Sequence, residues 1–219
     1  MTDFKQTNKI ARVHWASNLH KTRLSILENI CFAVCPRRVE AASKLNYCKK
    51  KIKLAAFLLA AFCIKKHLKV DELNLFKING KPFLKNQKNA FFNISHSANA
   101  AACATSASPI GVDLERFRPL NLNVANKICC ESELRFFSKL PKTQQTKFLF
   151  KVWTAKESFS KMKAETIFEN LKAINHKNIN NLKTIFLKNY ALSVCSKTAQ
   201  NFEFQKINFD EVIWFFKQN

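Results

Sequence analysis

Glycine is almost missing from this sequence: Gly80 and Gly111 are the two in 219 residues. Phosphate-cradling loops that need several glycines, such as G-x-G-x-x-G or the Walker A loop, are thereby excluded. Each remaining glycine marks a place where the backbone turns tightly or is approached closely. Acids are scarce as well, 15 Asp plus Glu against 37 Lys plus Arg, for a formal net charge of +22. Such a surface attracts anions: nucleic acid, acidic proteins or phosphorylated small molecules. Eight cysteines, at 31, 35, 48, 63, 103, 129, 130 and 195, form no C-x-x-C pair and have no zinc-finger spacing to histidine. Long apolar runs are also lacking. The longest, 54–64, is fenced by lysines and falls well short of the roughly 20 residues a membrane span needs. With no secretory leader to be read, these absences lead us to expect a soluble, cytoplasmic chain with reduced, buried thiols and no membrane partner.

What is present is apolar. Hydrophobic residues make up 47% of the chain and Phe occurs 21 times, spread along its length, which argues against disorder. The length suits one large domain or two small halves. Segment 38–66 lacks Gly and Pro and predicts one or two helices, with a basic turn at 49–53 before the apolar core run. Alternation predicts a strand at 73–78, closed by the turn Asn79-Gly80-Lys81-Pro82. Strands are expected at 91–94 and 98–104, flanking a corner at Ser95-His96-Ser97, and at 110–114. A hydrophilic connection at 116–121 separates an N-terminal half, 1–115, from a C-terminal half, 122–219. The second half predicts helices at 122–130, 132–140 and 143–163, then strands at 184–187, 190–195, 202–204 and 212–216. Helices followed by strands in both halves predict a pseudo-duplicated α/β (α+β) architecture.

Three short stretches concentrate chemistry. Asp113 and Glu115, at i and i+2 of a strand, point to one face and can converge on a hard cation such as Mg²⁺. Glu157 and Lys161, at i and i+4 of a helix, share another face. Acids with a lysine are what phosphoryl transfer from a pyrophosphate requires, because metal and ammonium neutralise charge developing on oxygen. Ser95, His96 and Ser97 add two hydroxyls and an imidazole suited to phosphate. A serine nucleophile is disfavoured, since the G-x-S-x-G elbow is absent.

Taken together, Phe92-Asn93-Ile94-Ser95-His96-Ser97, Ile110-Gly111-Val112-Asp113-Leu114-Glu115 and Trp153-Thr154-Ala155-Lys156-Glu157-Ser158-Phe159-Ser160-Lys161 resemble the three ordered motifs of the 4′-phosphopantetheinyl transferases of the surfactin-synthetase-activating type. Gly80-Lys81-Pro82 upstream fits in type and spacing. The resemblance, carried by 80–161, implies a monomer of two similar halves with coenzyme A and Mg²⁺ (or Mn²⁺) in the cleft between them. It implies Asp113, Glu115 and Glu157 as metal ligands, with Glu157 helping to deprotonate the incoming serine. Lys161 is implied at the pyrophosphate, where it protonates or stabilises the departing group; Ser95 and His96 are implied at coenzyme A phosphates, with His96 also counted with Glu157 and Lys161 as catalytic, and Lys156 is implied among the residues that bind coenzyme A. Lys81 and Pro82 are implied near the adenine, and Lys53 and Arg37 near the 3′-phosphate. The reaction implied is attack of a serine of an acyl or peptidyl carrier protein on the β-phosphate, releasing 3′,5′-ADP. Separately, the position of 120–126 just after the acid pair leads us to expect that it helps dock the carrier. Two features depart from the family: Lys53 where an arginine is common, and Lys163-Ala164-Glu165-Thr166-Ile167 where a glycine-containing turn is usual. The rivals are a basic nucleic-acid-binding module, which the dispersed charge disfavours, and a carrier-binding relative without turnover, which the intact acids and Lys161 disfavour.

Overall fold

A helix with a wholly apolar second half forms the axis of the N-terminal core. In the computed structural model, which describes residues 10–119, 122–165 and 171–218, helix α3 (Tyr47–Cys63) starts where the Asn46 side chain accepts the Lys49 amide, and every residue from Leu54 to Cys63 is buried. It runs on into a wider π turn, Ile64–Leu68, ended by Lys69 in a left-handed conformation. Helices α1 (Leu24–Val34) and α2 (Pro36–Ala42, with Pro at its first turn) pack beside it.

Under α3 lies a four-stranded sheet built from β1 (Ile10–Ala16), β4 (Phe91–Ser97), β5 (Ala100–Ser106) and β9 (Asn201–Lys206), in the order β4-β5-β1-β9. A second sheet takes β6 (Ile110–Arg116), β8 (Tyr190–Ser196) and β7 (Leu182–Leu187), in the order β6-β8-β7. The hairpin of β2 (Leu75–Ile78) and β3 (Lys81–Leu84) turns through Asn79 (φ 48°) and Gly80 (φ 79°). Both positive angles belong to an Asn-Gly type I′ turn, so Lys81-Pro82 opens β3 rather than closing the turn. Short α4 (Ala125–Ile128) and α5 (Glu131–Ser138) precede the 22-residue helix α6 (Lys142–Lys163), and α7 (Phe209–Gln218) closes the described chain.

The strands are shared differently from the expected halves. β6, placed in the first half, pairs with β8, and β9, placed in the second, runs parallel to β1. The predicted strand at 212–216 is part of α7. Phe209, Val212, Ile213 and Phe216 recur at helical spacing against the α3 core, and Asp210 and Glu211 suit its first turn. The expected corner at 95–97 lies inside β4, and the chain turns instead at Ala98, whose φ is 50°. Cys31, Cys63, Cys103, Cys129 and Cys195 are buried free thiols, whereas Cys35 and Cys130 are half-buried and Cys48 is exposed.

Candidate active site where two sheet edges meet

β4 and β6 are edge strands of different sheets, and they are joined through side chains. Residues alternating along β4 face β6: Asn93 Oδ1 accepts the Val112 amide, Ser95 Oγ the Leu114 amide and Ser97 Oγ the Arg116 amide, at 2.8, 3.2 and 3.1 Å. Each bond spans 19 residues of chain. Side-chain oxygens here supply the partners that a neighbouring strand would supply in one continuous sheet. The two serines donate in turn to the acids of β6, Ser95 to Asp113 and Ser97 to Glu115, both at 2.9 Å. The expected corner at Ser95-His96-Ser97 is therefore the second half of an Asn-x-Ser-x-Ser strand face. The period-2 spacing of three small polar residues was the signal that could have revealed it.

α6 crosses β6 at Gly111, where a Cβ would overlap the Ser158 carbonyl oxygen and the Met162 amide. The missing side chain lets the helix backbone lie against the strand. Glu157 and Lys161 are thereby presented to Asp113. The Lys161 ammonium reaches Asp113 Oδ1 at 2.5 Å and Glu157 Oε2 at 3.6 Å, and the Trp153 indole N–H donates to Glu157 Oε1 at 3.0 Å. Arg118 adds a bond to Glu115 Oε2 at 3.1 Å. Neither Trp153 nor Arg118 was assigned this task from the sequence.

Electrostatically, the group holds opposed tendencies. Burial and the neighbouring Asp113 carboxylate raise the Glu157 pKa, against the pull of Lys161. Burial opposes the charge on Lys161, but Asp113 and Glu157 outweigh it and hold the ammonium above the usual lysine value. Asp113 is 2% exposed, and its Oδ2 is buried without a hydrogen-bond partner. A buried carboxylate oxygen left in this state has room for one more positive or donating group. Among the described residues no three His, Cys, Asp or Glu side chains are arranged as a ready metal cage; the cation between Asp113 and Glu157 is Lys161.

Other sequence-derived candidates divide. His96 has an exposed ring, yet local crowding lowers its pKa, helped by the charges of Lys53 and Lys161. This places the outward-facing Lys53 of α3 in electrostatic reach of the acid cluster's rim. Ser95 is buried, with its hydroxyl committed to Asp113 and Leu114, so it is no free phosphate contact. Lys156 is fully buried and faces away from the acids, its ammonium held by Glu133 Oε2 and by the Ile128 and Leu171 carbonyls at 2.6, 2.6 and 2.9 Å. That engagement leaves it no free ammonium for the expected coenzyme A contact.

The Lys81 ammonium likewise turns inward, to the carbonyls of Ile110 and Lys161 at 2.9 and 2.5 Å, and burial lowers its pKa to about 8. It caps the end of α6, and Asn79 assists by donating to the Ala164 carbonyl at 3.0 Å. Pro82, half-buried, lies opposite Lys77 in the hairpin. Arg37 lines a separate surface concavity with Arg38, Asp71 and Lys77, away from the acids. Ala164, in the left-handed conformation at φ 59°, stands where the resembling family prefers glycine. Of the expected docking segment, Leu120 and Asn121 lie outside the described residues, as do Thr166 and Ile167 of the departing turn.

The acids and Lys161 lie within a stretch that matches a known family. The family model described as the 4′-phosphopantetheinyl transferase superfamily matches residues 109–208. The chain is similar to the 4′-phosphopantetheinyl transferase Sfp of Bacillus subtilis, with 35% identity over 86 residues, 39% of this chain and 38% of that protein. It is similar to gsp of Aneurinibacillus migulanus, with 35% identity over 112 residues, 48% of this chain and 46% of the relative. HetI of a Nostoc species is 34% identical over 98 residues, 42% of this chain and 41% of its own. The alignments thus span less than half the length of each of these relatives. The segment 109–208, which holds Asp113, Glu115, Glu157 and Lys161, is thus similar to the 4′-phosphopantetheinyl transferase superfamily.

Proposed function

We propose that this chain transfers the 4′-phosphopantetheine arm of coenzyme A to a serine hydroxyl of an acyl or peptidyl carrier protein and releases 3′,5′-ADP. The observation that carries this reading is the close set of Asp113, Glu157 and Lys161, with Glu115 beside it, inside the segment that matches the superfamily. Asp113, Glu115 and Glu157 offer the hard oxygen donors that Mg²⁺ or Mn²⁺ takes, and the unpartnered Oδ2 of Asp113 fits that use. When bound, the ion would neutralise charge on the pyrophosphate oxygens.

The protein's own groups divide the remaining work. Glu157, with its pKa raised and its carboxylate oriented by Trp153, accepts the proton of the attacking serine. Lys161, held charged, stabilises and can protonate the departing phosphate oxygen. Ser95 and Ser97 steady Asp113 and Glu115 rather than touching substrate. His96 and Lys53 lie at the outer rim, where they can meet the phosphates of coenzyme A. Acidic carriers suit a chain of charge +22. The test is chromatographic detection of 3′,5′-ADP from coenzyme A with and without an apo carrier protein. Release that requires both carrier and divalent metal supports the reading; no release with any of several carriers, from a folded protein, overturns it.

A further inference from the structure

Beyond the last residues of β6 lies a strip of rings and cations that the proposed chemistry leaves unused. Phe117 follows the strand, and its amide donates to the Asn189 carbonyl of the β7–β8 turn at 2.8 Å. Its ring meets two others: Phe150 of α6, nearly edge to face at 5.3 Å between centroids, and Phe186 of β7 at 6.2 Å. Phe150 is fully buried and forms the foot of the strip, whereas Phe186 is 39% exposed. Cations border these rings. The Lys147 ammonium of α6 stands 4.4 Å from the centre of the Phe186 ring, and the Arg118 guanidinium 5.8 Å from that of Phe150. Lys151 shares the helix face of Lys147 at i+4, and Lys188 lies two residues beyond Phe186; both are exposed. Among the described residues no carboxylate pairs with Lys147, Lys151 or Lys188. The acid at the end of the strip, Glu115, is taken by Ser97 and Arg118.

We propose that this strip, centred on Phe186 and Lys147, is a docking surface for the acidic carrier protein and brings the carrier's serine to the acid cluster. The identity of the partner rests on the transferase reading. Charge of one sign beside an exposed ring fits a protein surface that pairs carboxylates with Lys147, Lys151 and Lys188 and covers Phe186 with an apolar side chain. Position points the same way. Arg118 joins the strip to Glu115 at 3.1 Å, so a partner seated on the rings borders the acids, and in the proposed reaction the carrier is the protein that must arrive there. A nucleic-acid strand fits less well, because one ring is well exposed rather than the series of open faces on which successive bases stack. The expected docking segment 120–126 begins three residues after Phe117, and the strip extends that surface onto α6 and β7.

The experiment passes the full chain over an immobilised apo acyl carrier protein without coenzyme A, so that binding is read apart from turnover. Lys147→Glu/Lys151→Glu should weaken binding about tenfold or more, because it sets like charges against the carrier. Phe186→Ala should weaken it about fivefold or more. Lys85→Glu/Lys88→Glu makes the same change of net charge in the exposed loop before Phe91, at the opposite end of β4 from Ser97, and should leave affinity within about twofold. Coenzyme A affinity, read by calorimetry, should stay the same in all three variants. Equal losses in the two charge-reversal pairs would mean that net charge alone draws the carrier, and would overturn the proposal. So would no measurable carrier binding by the folded wild-type chain, unchanged affinity in Lys147→Glu/Lys151→Glu, or a loss of duplex DNA binding in that variant with carrier binding kept. A wild-type chain that binds the carrier through this strip but transfers nothing overturns the transferase reading and leaves the docking surface standing. A chain that transfers, with the carrier KM unmoved in the strip variants, overturns the docking surface alone.

Discussion

Two lysines five positions apart on α6 show how little residue type alone decides. Lys161 faces Asp113 and Glu157 in the candidate site, while Lys156 is enclosed with Glu133 on the opposite side of the helix. Five residues turn a helix through about 500°, so the pair diverges by roughly 140°. At this scale the acids and Lys161 were legible because they share spacing and few other acids compete. The commitment of Ser95, Lys81 and Lys156 to internal partners was not, because a hydrogen bond across 15 to 80 residues leaves no local trace. Glu157→Gln is expected to abolish carrier modification while circular dichroism stays native, since glutamine keeps the shape and the Trp153 contact but cannot take a proton. Retained turnover in that variant would remove Glu157 as the base. Ser95→Ala deprives the Leu114 amide of its acceptor and Asp113 of a donor, so denaturant titration should show a loss of about 1–3 kcal/mol. Gly111→Ala forces α6 off β6 by a backbone clash. We expect about 3 kcal/mol or more of destabilisation there, measured as a fall in thermal midpoint.

At the scale of elements, α6 is held from both sides. Lys81 and Asn79 cap its last turn, and Lys156 anchors its middle to Glu133. Glu133 also accepts the His176 amide and bonds the His176 ring Nδ1 at 2.7 Å, and it accepts the Cys130 amide that starts α5. Burial opposes its charge, but the bonds to His176 and Lys156 bring its pKa to about 2 from an ordinary 4.5. A carboxyl depressed on folding contributes stability above its unfolded pKa and loses it as pH falls through the folded value. The contribution should therefore be full above about pH 4.5 and fade toward pH 2. Glu133→Gln is expected to flatten that limb in acid titrations and to cost about 3–5 kcal/mol at neutral pH, because Lys156 is left buried and unpaired. An unchanged acid profile would contradict this account.

The expected helix at 143–163 matched α6 closely, since its period is long and unbroken by Gly or Pro. The segment 212–216 did not match, because aromatic and β-branched residues favour strands locally while its buried face is set by the distant α3 core.

For the molecule as a whole, the α/β class was legible from element order, but the exchange of β6 and β9 between sheets was not. Strand pairing over such distances depends on which edges remain free after the helices pack, and edge availability is a property of the assembled fold. The net charge acts at this same scale. With +22 on the chain, affinity for an acidic carrier should fall as salt rises, since a Debye length of about 10 Å at 0.1 M shrinks to about 3 Å at 1 M. Surface plasmon resonance at both salts should show the loss mainly in the association rate. A salt-independent association rate would mean that this charge does not steer the partner.

The central claim is tested most directly by the intact mass of an apo carrier protein after incubation with this chain, coenzyme A and Mg²⁺, beside a chelator control and the Asp113→Ala variant. The account predicts the gain of one phosphopantetheine group that both the chelator and the substitution abolish. An unmodified carrier with the folded wild-type chain, or a gain that survives Asp113→Ala, would contradict it.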